Sequence, residues 1–444
     1  WWGDFMFITR KLIAESGVDP AEIRAVATSA IGPCMLPVDQ NGAPLINGVL
    51  YGVDTRATRE IDELNAEIGE DTILARCGNA LTSQSVGPKI LWFKRNHPDL
   101  TARILSSTSY LTYRLTGKYV IDHYTAANFS PLYDIATQDW CPDLARFCPP
   151  AMLPELMWST EIAGHVTAKA AAETGLAEGI PVTCGTIDAA AEAVSVGVRH
   201  PGDMMMMYGS TIFIILLSDK PMSDPRLWHA PWLFPGEHAA MAGLATSGTL
   251  THWFRDHFAR ELQRDGAFGV LAKEAEASPP GAKGLICLPY FSGERTPIHD
   301  ARAKGSFFGL DLTHDRGDMY RAVLEGIASA TRHIAETYAE AGQRPARVLA
   351  VGGGTRNRPW LKATSDLTGL DQIVCEVTTG ASYGDAFLAA LAVGHAKPDD
   401  MTVWNPAGEI VKAESHAAYE RQYPLFLKLY EQTKDIMAAL EQDA

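Results

Sequence analysis

From residue 181 onwards the chain alternates short apolar runs with longer runs of helical spacing, and this alternation restricts the folds open to it. Its clearest part predicts four elements: a strand over Pro181 to Cys184, a helix over Ala189 to Val198, and paired strands over Met204 to Tyr208 and Ile212 to Leu217. Strands that alternate with helices build largely buried sheets. We therefore predict an α/β fold, with a boundary near Thr183 that separates domains over residues 1–183 and 184–444.

The rest of the chain adds elements of the same two kinds. Helical spacing is found over residues 1–15, 55–68, 89–96, 250–262, 316–341, 360–368, 385–393 and 415–440. Strand-like runs cover residues 23–29, 239–243, 284–288, 347–351 and 373–376, and residues 104–115 predict a strand that leads into a helix. Residues 134–153 are rich in Pro, Asp and Trp, which predicts a surface loop with a short helix.

The composition argues against several classes of function. The net charge of -15 opposes a nucleic-acid-binding surface, which needs a basic footprint. No apolar run reaches the roughly 18 residues of a membrane-spanning helix. The seven cysteines are scattered and odd in number, which favours a reduced, cytoplasmic protein with thiols in its core. The histidines lack His-x-x-x-His spacing, so we expect no zinc site built by the protein.

Asp188 lies where a strand-like run meets an alanine-rich helix. One interpretation is a helix N-cap, because an Asp at that position accepts hydrogen bonds from free N–H groups. The other is a general base, which must come within hydrogen-bond reach of the hydroxyl that it deprotonates. Gly185 would permit a close backbone approach, and the small residues Ala189 to Ala191 would leave room for a ligand. The residues themselves leave both interpretations open.

Two glycine-containing turns could bind phosphate. The first, Gly209-Ser210-Thr211, is either a simple β-turn or a loop whose N–H groups and hydroxyls bind anionic oxygens. The second runs from Val351 through three glycines to Asn357 and precedes a helix, which is a nucleotide-site pattern. It is not a dinucleotide fingerprint, although a nicotinamide-dependent dehydrogenase remains an alternative. The segment 379–385 is another glycine-spaced helix entry and could lie against the same nucleotide.

Two charged motifs have a structural and a functional interpretation. Glu294 and Arg295, in Gly-Glu-Arg-Thr-Pro, are more simply a surface or interdomain ion pair than part of a site. Asp54 and Arg56, in Asp-Thr-Arg, either orient a polyhydroxylated substrate or cap the helix that follows. Neither motif identifies a function by itself.

Taken in order along the chain, these motifs resemble the FGGY family of carbohydrate kinases, most closely its xylulokinase-like members. The most specific part is 293–326, with Gly-Glu-Arg-Thr-Pro, Ala-Lys-Gly-Ser-Phe-Phe-Gly-Leu and Arg-Ala-Val-Leu-Glu-Gly. Residues 88–92 (Pro-Lys-Ile-Leu-Trp), 185–190 (Gly-Thr-Ile-Asp-Ala-Ala) and the triple glycine with Trp360 agree in the same order. The resemblance covers essentially the whole chain.

The resemblance implies two ribonuclease-H-like domains of the actin, hexokinase and Hsp70 superfamily, with a cleft between them. It implies a phosphotransferase of carbohydrate (xylulose) metabolism that uses ATP and Mg²⁺ on a sugar or polyol hydroxyl, as a possible homodimer. Residue by residue, it implies these roles: Asp188 as catalytic base; Gly209, Ser210 and Thr211 as the phosphate-binding hairpin; Gly353, Gly354 and Asn357 as the adenosine site; and Asp54 near the sugar.

The chain departs from the family pattern in two places. The family begins with a strand-turn-strand bearing Gly-x-Asp-x-Gly-Thr, which helps to hold phosphate and magnesium, and we expect such a segment before Trp1. Where xylulokinases carry Gln-Met-His-Gly, this chain has Ser29-Ala30-Ile31-Gly32, which puts Ile31 in the place of a sugar-binding histidine. A substrate other than D-xylulose therefore stays open. The missing first phosphate loop also leaves a degenerate, non-catalytic actin-like protein as an alternative.

Overall fold

The structure, a computed structural model, describes residues 1–52, 54–221, 224–262 and 266–440. The chain forms two compact units. Unit 1 comprises Trp1–Pro201, Leu217–Ala240 and Thr379–Trp404, and unit 2 comprises Gly202–Leu216, Met241–Thr378 and Asn405–Ala444. The boundary near Thr183 stays a prediction about how the sequence divides into domains.

The described residues contain the following helices: α1 Trp2–Ser16, α2 Thr58–Ile68, α3 Glu70–Cys77, α4 Val86–Asn96, α5 Ser107–Thr116, α6 His123–Ala126, α7 Ala168–Thr174, α8 Asp188–Ser195, α9 Gly248–Phe258, α10 Ala267–Ala277, α11 Arg316–Glu340, α12 Arg358–Thr368, α13 Ala381–Ala392, α14 Met401–Trp404 and α15 Ala417–Leu440. In the same residues, no helix combines the length and the apolar character needed to span a membrane.

The strands of the same residues are β1 Ser29–Ala30, β2 Leu36–Val38, β3 Arg103–Leu105, β4 Val120–Asp122, β5 Tyr133–Asp134, β6 Asp139–Trp140, β7 Glu155–Met157, β8 Ile162–His165, β9 Pro181–Thr183, β10 Thr186–Ile187, β11 Asp203–Tyr208, β12 Ile212–Ser218, β13 Trp228–Pro231, β14 His238–Leu244, β15 Ile286–Leu288, β16 Ser306–Phe308, β17 Arg347–Val351, β18 Gln372–Cys375 and β19 Ala407–Val411. With the helices above, they confirm the predicted α/β class.

Unit 1 contains several two-stranded sheets covered by helices. The short strands β1 and β10 run parallel, with Ser29 opposite Thr186 and Ala30 opposite Ile187. Helix α13 packs along α8, and a Cβ atom added to Gly384 would lie 1.8 Å from the carbonyl oxygen of Ala191. Only glycine permits so close an approach of two helix backbones. The small residues after Asp188 therefore serve helix packing, since Ala190 and Ala191 are buried.

Unit 2 is built on a central sheet in which neighbouring strands follow the order β12, β11, β17, β18 and β19. The predicted paired strands form the antiparallel pair β11 and β12, and β11 also pairs in parallel with β17. The methionines Met204 to Met206 are fully buried, as expected for strands covered on both faces. Both glycine turns follow strands of this sheet: 209–211 follows β11, and 352–357 follows β17.

Three local predictions need correction. The run 23–29 forms only an isolated bridge at Val26 and the first residue of the two-residue strand β1. Residues 134–153 are not simply a surface loop, because β5 and β6 form a hairpin there and Cys141, Ala145 and Cys148 are buried. In α1, apolar residues recur at helical spacing over residues 1–15, yet two of them, Ile8 and Leu12, are 52% and 60% exposed. All seven cysteines are buried and free of disulfides, as predicted.

Candidate functional site

Asp188 is the first residue of α8 and directly follows β10. The parallel pairing of β10 with β1 makes Asp188 and Ile31 leave neighbouring strands at the same edge. The turn after Ile31 lies against the residue before Asp188, since a Cβ atom on Gly32 would come within 2.7 Å of the Ile187 side chain. Residues brought together at the carboxyl edge of parallel strands are placed as ligand-binding residues commonly are.

The Asp188 carboxylate retains an acceptor atom that none of the described residues uses. Its Oδ1 accepts a hydrogen bond from the Ala189 N–H at 2.8 Å, and no other described residue donates to the carboxylate. The N-cap position is held by Ile187, so the N-cap interpretation of Asp188 was wrong. Burial raises the pKa of Asp188, and the hydrogen bond from Ala189 opposes that shift. A half-buried carboxylate of raised pKa with an accessible oxygen can accept a proton.

A second carboxyl group, Asp385, lies beside Asp188 and was not predicted as a site residue. Its Oδ2 accepts a hydrogen bond from Ser29 Oγ at 2.6 Å, and its Oδ1 is buried without a hydrogen-bond partner in the described structure. Burial raises the pKa of Asp385 to about 7, opposed by Ser29 and assisted by the charge of Asp188. The glycine-spaced segment 379–385, which could lie against a nucleotide, belongs to unit 1 and leads into α13, which packs against α8.

The loop that carries Asp54 is held by a buried lysine. Lys89 is 1% exposed, and its Nζ donates a hydrogen bond to the carbonyl oxygen of Leu50 at 2.6 Å. Burial lowers the pKa of Lys89 to about 8, while the charges of Asp54 and Cys34 oppose that change. Arg56 makes a bidentate ion pair with Asp54, with Nε to Oδ1 at 2.8 Å and Nη2 to Oδ2 at 2.7 Å.

The Asp54 carboxylate is therefore ionised and fixed in position. Burial alone would raise its pKa, but the hydrogen bonds from Arg56 outweigh burial and lower it. Burial also raises the pKa of the Cys34 thiol to about 11, and both Lys89 and Asp188 act on that thiol electrostatically. Cys34 donates to the carbonyl oxygen of Ile31 at 3.3 Å, which joins the Ile31 turn to this group of side chains. Unit 1 thus brings Ile31, Asp54 and Asp188 into one neighbourhood through Lys89 and Cys34.

Unit 2 contains a cavity of about 500 Å³, a volume typical of small-ligand sites. Five of the six predicted nucleotide-binding residues line it, and Thr211 does not. The full lining consists of Tyr208, Gly209, Ser210, Gly248, Thr251, His252, Phe268, Gly269, Ala272, Gly353, Gly354, Arg356, Asn357 and Trp360. His252 and Phe268, whose rings lie 4.9 Å apart, were missed because no local motif marks them. The indole Nε1 of Trp360 is buried there without a hydrogen-bond partner among the described residues.

The first glycine turn is held by the start of α9. The N–H groups of Ser247 and Thr249 donate to the Ser210 carbonyl oxygen at 3.1 Å, and the Gly248 N–H donates to Gly209 O at 3.1 Å. A trans peptide places each N–H opposite the preceding carbonyl. The N–H groups of Ser210 and Thr211 therefore point away from residues 247–249, as an anion-binding turn requires.

The second glycine turn, residues 352–357, requires glycine at two positions and ends in a residue that caps α12. Gly352 has φ 96°, and a Cβ atom on Gly354 would come within 2.5 Å of the Trp360 ring. A Cβ atom on Gly353 would meet no atom within 4 Å, so its face is open. Asn357 caps α12 through Trp360 N and donates from Nδ2 to Tyr320 Oη at 3.0 Å.

Glu294 was interpreted as half of a surface or interdomain ion pair, but it is buried and accepts hydrogen bonds from backbone N–H groups instead. The residue is only 4% exposed, and its Oε1 accepts hydrogen bonds from the backbone N–H groups of Ala245 at 2.6 Å and Arg295 at 2.7 Å. Its Oε2 is buried and has no hydrogen-bond partner in the part of the chain that the structure describes.

The part of the chain that the structure describes contains no group of three His, Cys, Asp or Glu residues placed to hold a metal ion. Mg²⁺ does not need such a group, because it is usually bound through one or two carboxylates, water and substrate phosphates. The residues fit a magnesium ion that arrives with a phosphorylated ligand better than one held by the protein alone.

Comparison with known protein families gives two adjacent matches. The N-terminal domain of the FGGY family of carbohydrate kinases matches residues 1–195. The C-terminal domain of the same family matches residues 204–393.

Individual relatives agree with these matches. The xylulose kinase of Bacillus subtilis is 29% identical over 452 residues, covering 97% of this chain and 87% of its own length. The xylulose kinase of Escherichia coli is 27% identical, covering 99% of this chain and 90% of its own length. Among solved structures, xylulose kinase from Rhodospirillum rubrum is 33% identical and superposes with a TM-score of 0.90, covering 99% of this chain and 90% of that one.

Proposed function

This chain belongs to the FGGY family of carbohydrate kinases, and we propose that it transfers a phosphoryl group from ATP to a hydroxyl of a ketopentose such as xylulose, or of a related sugar or polyol. The family matches and the similarity to a xylulose kinase structure confirm the predicted two-domain kinase fold and the carbohydrate kinase activity. They decide against the nicotinamide-dependent dehydrogenase. The observation that carries the finer proposal is the free carboxylate oxygen of Asp188 at the strand edge shared with Ile31.

Asp188 acts as the general base in this proposal. Its Oδ2 accepts the proton of the attacking hydroxyl, and its raised pKa makes it a better proton acceptor than an ordinary aspartate. The hydrogen bond from Ala189 holds the carboxylate in one orientation, so the base is positioned before substrate binds.

The cavity of unit 2 is the proposed nucleotide site. The outward N–H groups of Ser210 and Thr211 would bind phosphate oxygens, and the open face of Gly353 with Asn357 would lie along the nucleoside. ATP would supply the phosphoryl group, and the Mg²⁺ bound with it would neutralise negative charge on the phosphates, as in other phosphoryl-transfer enzymes. The volume of the cavity and the unpartnered Trp360 Nε1 fit a ligand of this class.

The sugar side rests on Asp54 and Ile31. Asp54 is ionised and fixed by Arg56, so it can accept hydrogen bonds from sugar hydroxyls. Ile31 supplies an apolar contact where xylulokinases carry a histidine, which removes one hydrogen-bonding group from the pocket. Since hydroxyl-by-hydroxyl pairing sets specificity, the position of the sugar that faces Ile31 should decide between D-xylulose and related sugars.

An ADP-release assay tests the proposal. Purified protein is screened with ATP and Mg²⁺ against pentuloses, hexuloses and polyols, and one class should give clear turnover. Asp188→Asn should then lose about 10²–10⁴-fold in kcat while ADP binding and the unfolding midpoint stay near those of the original protein. Glu192→Gln, which changes a half-buried carboxyl group on the same helix, serves as the control and should keep most of the turnover. Near-normal turnover by Asp188→Asn would sink the assignment of the base.

A further inference from the structure

The Gly-Glu-Arg-Thr-Pro motif has no role in the proposed phosphoryl transfer, yet it contains one of the most buried carboxyl groups of unit 2. Glu294 is 4% exposed and uses one oxygen for two backbone N–H groups, those of Ala245 and Arg295. A buried carboxyl is costly unless it is hydrogen-bonded, so a role in holding the backbone is the first to consider. Burial raises its pKa to about 7, opposed by the two N–H groups and by the Arg295 charge.

Several contacts tie residues 243–246 to the motif. In addition to the hydrogen bond from the Ala245 N–H to Glu294, the Thr296 N–H donates to Gly243 O at 3.2 Å. Arg295 Nη2 donates to Leu244 O at 2.8 Å. Thr246 Oγ1 donates to Pro289 O at 2.5 Å. We call residues 243–249 the bridge segment, because its first half is bound by residues 289–296.

The second half of the bridge segment binds the first glycine turn. In addition to the three backbone hydrogen bonds from residues 247–249, the side chains of Ser247 and Thr249 donate to Gly209 O at 3.1 Å and Ser210 O at 3.0 Å. The fit is close, since a Cβ atom on Gly248 would lie 2.3 Å from Gly209 O. The carbonyls of the turn are thus fixed by a segment that is itself fixed at the motif.

We propose that Glu294 is a positioning residue for the Gly209–Thr211 turn: its carboxyl oxygen anchors the Ala245 N–H, and the bridge segment carries that anchor to the two carbonyls of the turn. The orientation of the Ser210 and Thr211 N–H groups, on which phosphate binding depends, then rests on a side chain that does not line the cavity. This inference deepens the proposed function and rests on the nucleotide role assigned there to the turn.

The test compares two buried glutamates of unit 2. Glu294→Leu removes the anchor, whereas Glu325→Leu removes a 6% exposed carboxyl group that binds Gly281, Arg321 and Tyr419 instead. Amide hydrogen exchange should speed up in residues 209–211 and 243–249 of Glu294→Leu and stay unchanged there in Glu325→Leu. ADP should bind about tenfold more weakly to Glu294→Leu than to the original protein, and KM for the sugar should change little. Equal behaviour of the two variants would overturn the proposal.

A milder pair keeps the test valid if Glu294→Leu does not fold. Glu294→Gln keeps the shape of the side chain but weakens the anchor, because an amide oxygen is a poorer acceptor for the Ala245 N–H than a carboxylate oxygen. Thr249→Val removes an exposed hydroxyl at the other end of the bridge segment. If the anchor acts through this segment, the two changes should be non-additive in ADP affinity. Additive effects on ADP affinity would contradict the proposal that the anchor acts through the bridge segment. If the original protein binds no ADP, the nucleotide role of the turn fails, whereas the exchange comparison still decides whether Glu294 holds the turn.

Discussion

Ser29 Oγ donates a 2.6 Å hydrogen bond to Asp385 Oδ2, which joins the first residue of strand β1 to helix α13. Asp385 is mostly protonated below pH 7 in the folded protein, because burial raises its pKa to about 7 from an ordinary value near 3.8. Its contribution to stability is therefore present in full below about pH 4 and is lost as the pH rises through about 7.

Asp385→Asn should remove this pH dependence. Between pH 5 and pH 8 the original protein should lose on the order of 2 kcal/mol more in free energy of unfolding than the variant does, measured by urea titration at both pH values. Asp62→Asn, on an exposed face of α2, should follow the original protein. The same loss in all three proteins would show that Asp385 titrates normally.

The pH dependence of turnover should report Asp188. Because burial raises the pKa of this carboxyl and only its ionised form accepts a proton, kcat/KM should fall with decreasing pH along a limb that begins above the ordinary Asp value of about 3.9. Initial rates at subsaturating sugar check this. A profile that stays flat to roughly pH 4.5 would argue against Asp188 as the base.

Lys89→Met should weaken sugar binding more than catalysis. The variant keeps the length of a buried side chain but loses the hydrogen bond to Leu50 O, so the loop that carries Asp54 should loosen. We expect KM for the sugar to rise about tenfold with a smaller change in kcat. Lys94→Met is the matched control, because Lys94 lies on the same helix and donates to Phe147 O instead. Similar KM changes in both variants would contradict a specific role for Lys89.

Two glycines of the unit 2 cavity separate ligand contact from folding. A Cβ atom added to Gly353 or Gly269 meets no atom within 4 Å, so neither alanine variant should disturb the fold. Gly353→Ala should nevertheless weaken ADP binding, because its methyl group would occupy space along the turn, as titration calorimetry can show. Gly269→Ala, within α10, also adds a methyl group to the cavity lining, so it should weaken ADP binding too while gaining about 0.5–1 kcal/mol of stability, whereas Gly3→Ala in α1, outside the cavity, should bind ADP normally. Unchanged ADP affinity in Gly353→Ala would place the nucleotide elsewhere.

Gly384→Ala should destabilise unit 1 severely. Its methyl carbon would lie 1.8 Å from Ala191 O, a backbone atom that cannot rotate away, so α8 and α13 must separate. A loss of about 3 kcal/mol or more in the free energy of unfolding is expected, compared with a small gain for the exposed, unobstructed Gly3→Ala in α1. Urea titration of both variants distinguishes the outcomes, and equal stability would mean that the helices are not packed as described.

Features set by local sequence were predictable. The hairpin of β11 and β12 follows from two apolar runs around Gly209-Ser210-Thr211, and helix α12 follows from the helical spacing of residues 360–368. Features set by contacts between residues far apart in the sequence were not predictable. Asp385 meets Ser29 across 356 positions, and Ala245 meets Glu294 across 49, with no periodicity to mark either contact. The same limit applies to Lys89, whose burial depends on the Asp54 loop.

The six alternating segments of the two units mean that the chain passes five times from one unit to the other. Neither unit corresponds to a continuous stretch of the gene, so neither can be produced by truncation at a single point. A fragment that stops at Pro201 would lack α13, and the buried alanines of α8 would face water. Attempts to obtain one half by limited proteolysis or subcloning should yield aggregating material, and a functional two-piece version would need both fragments expressed together.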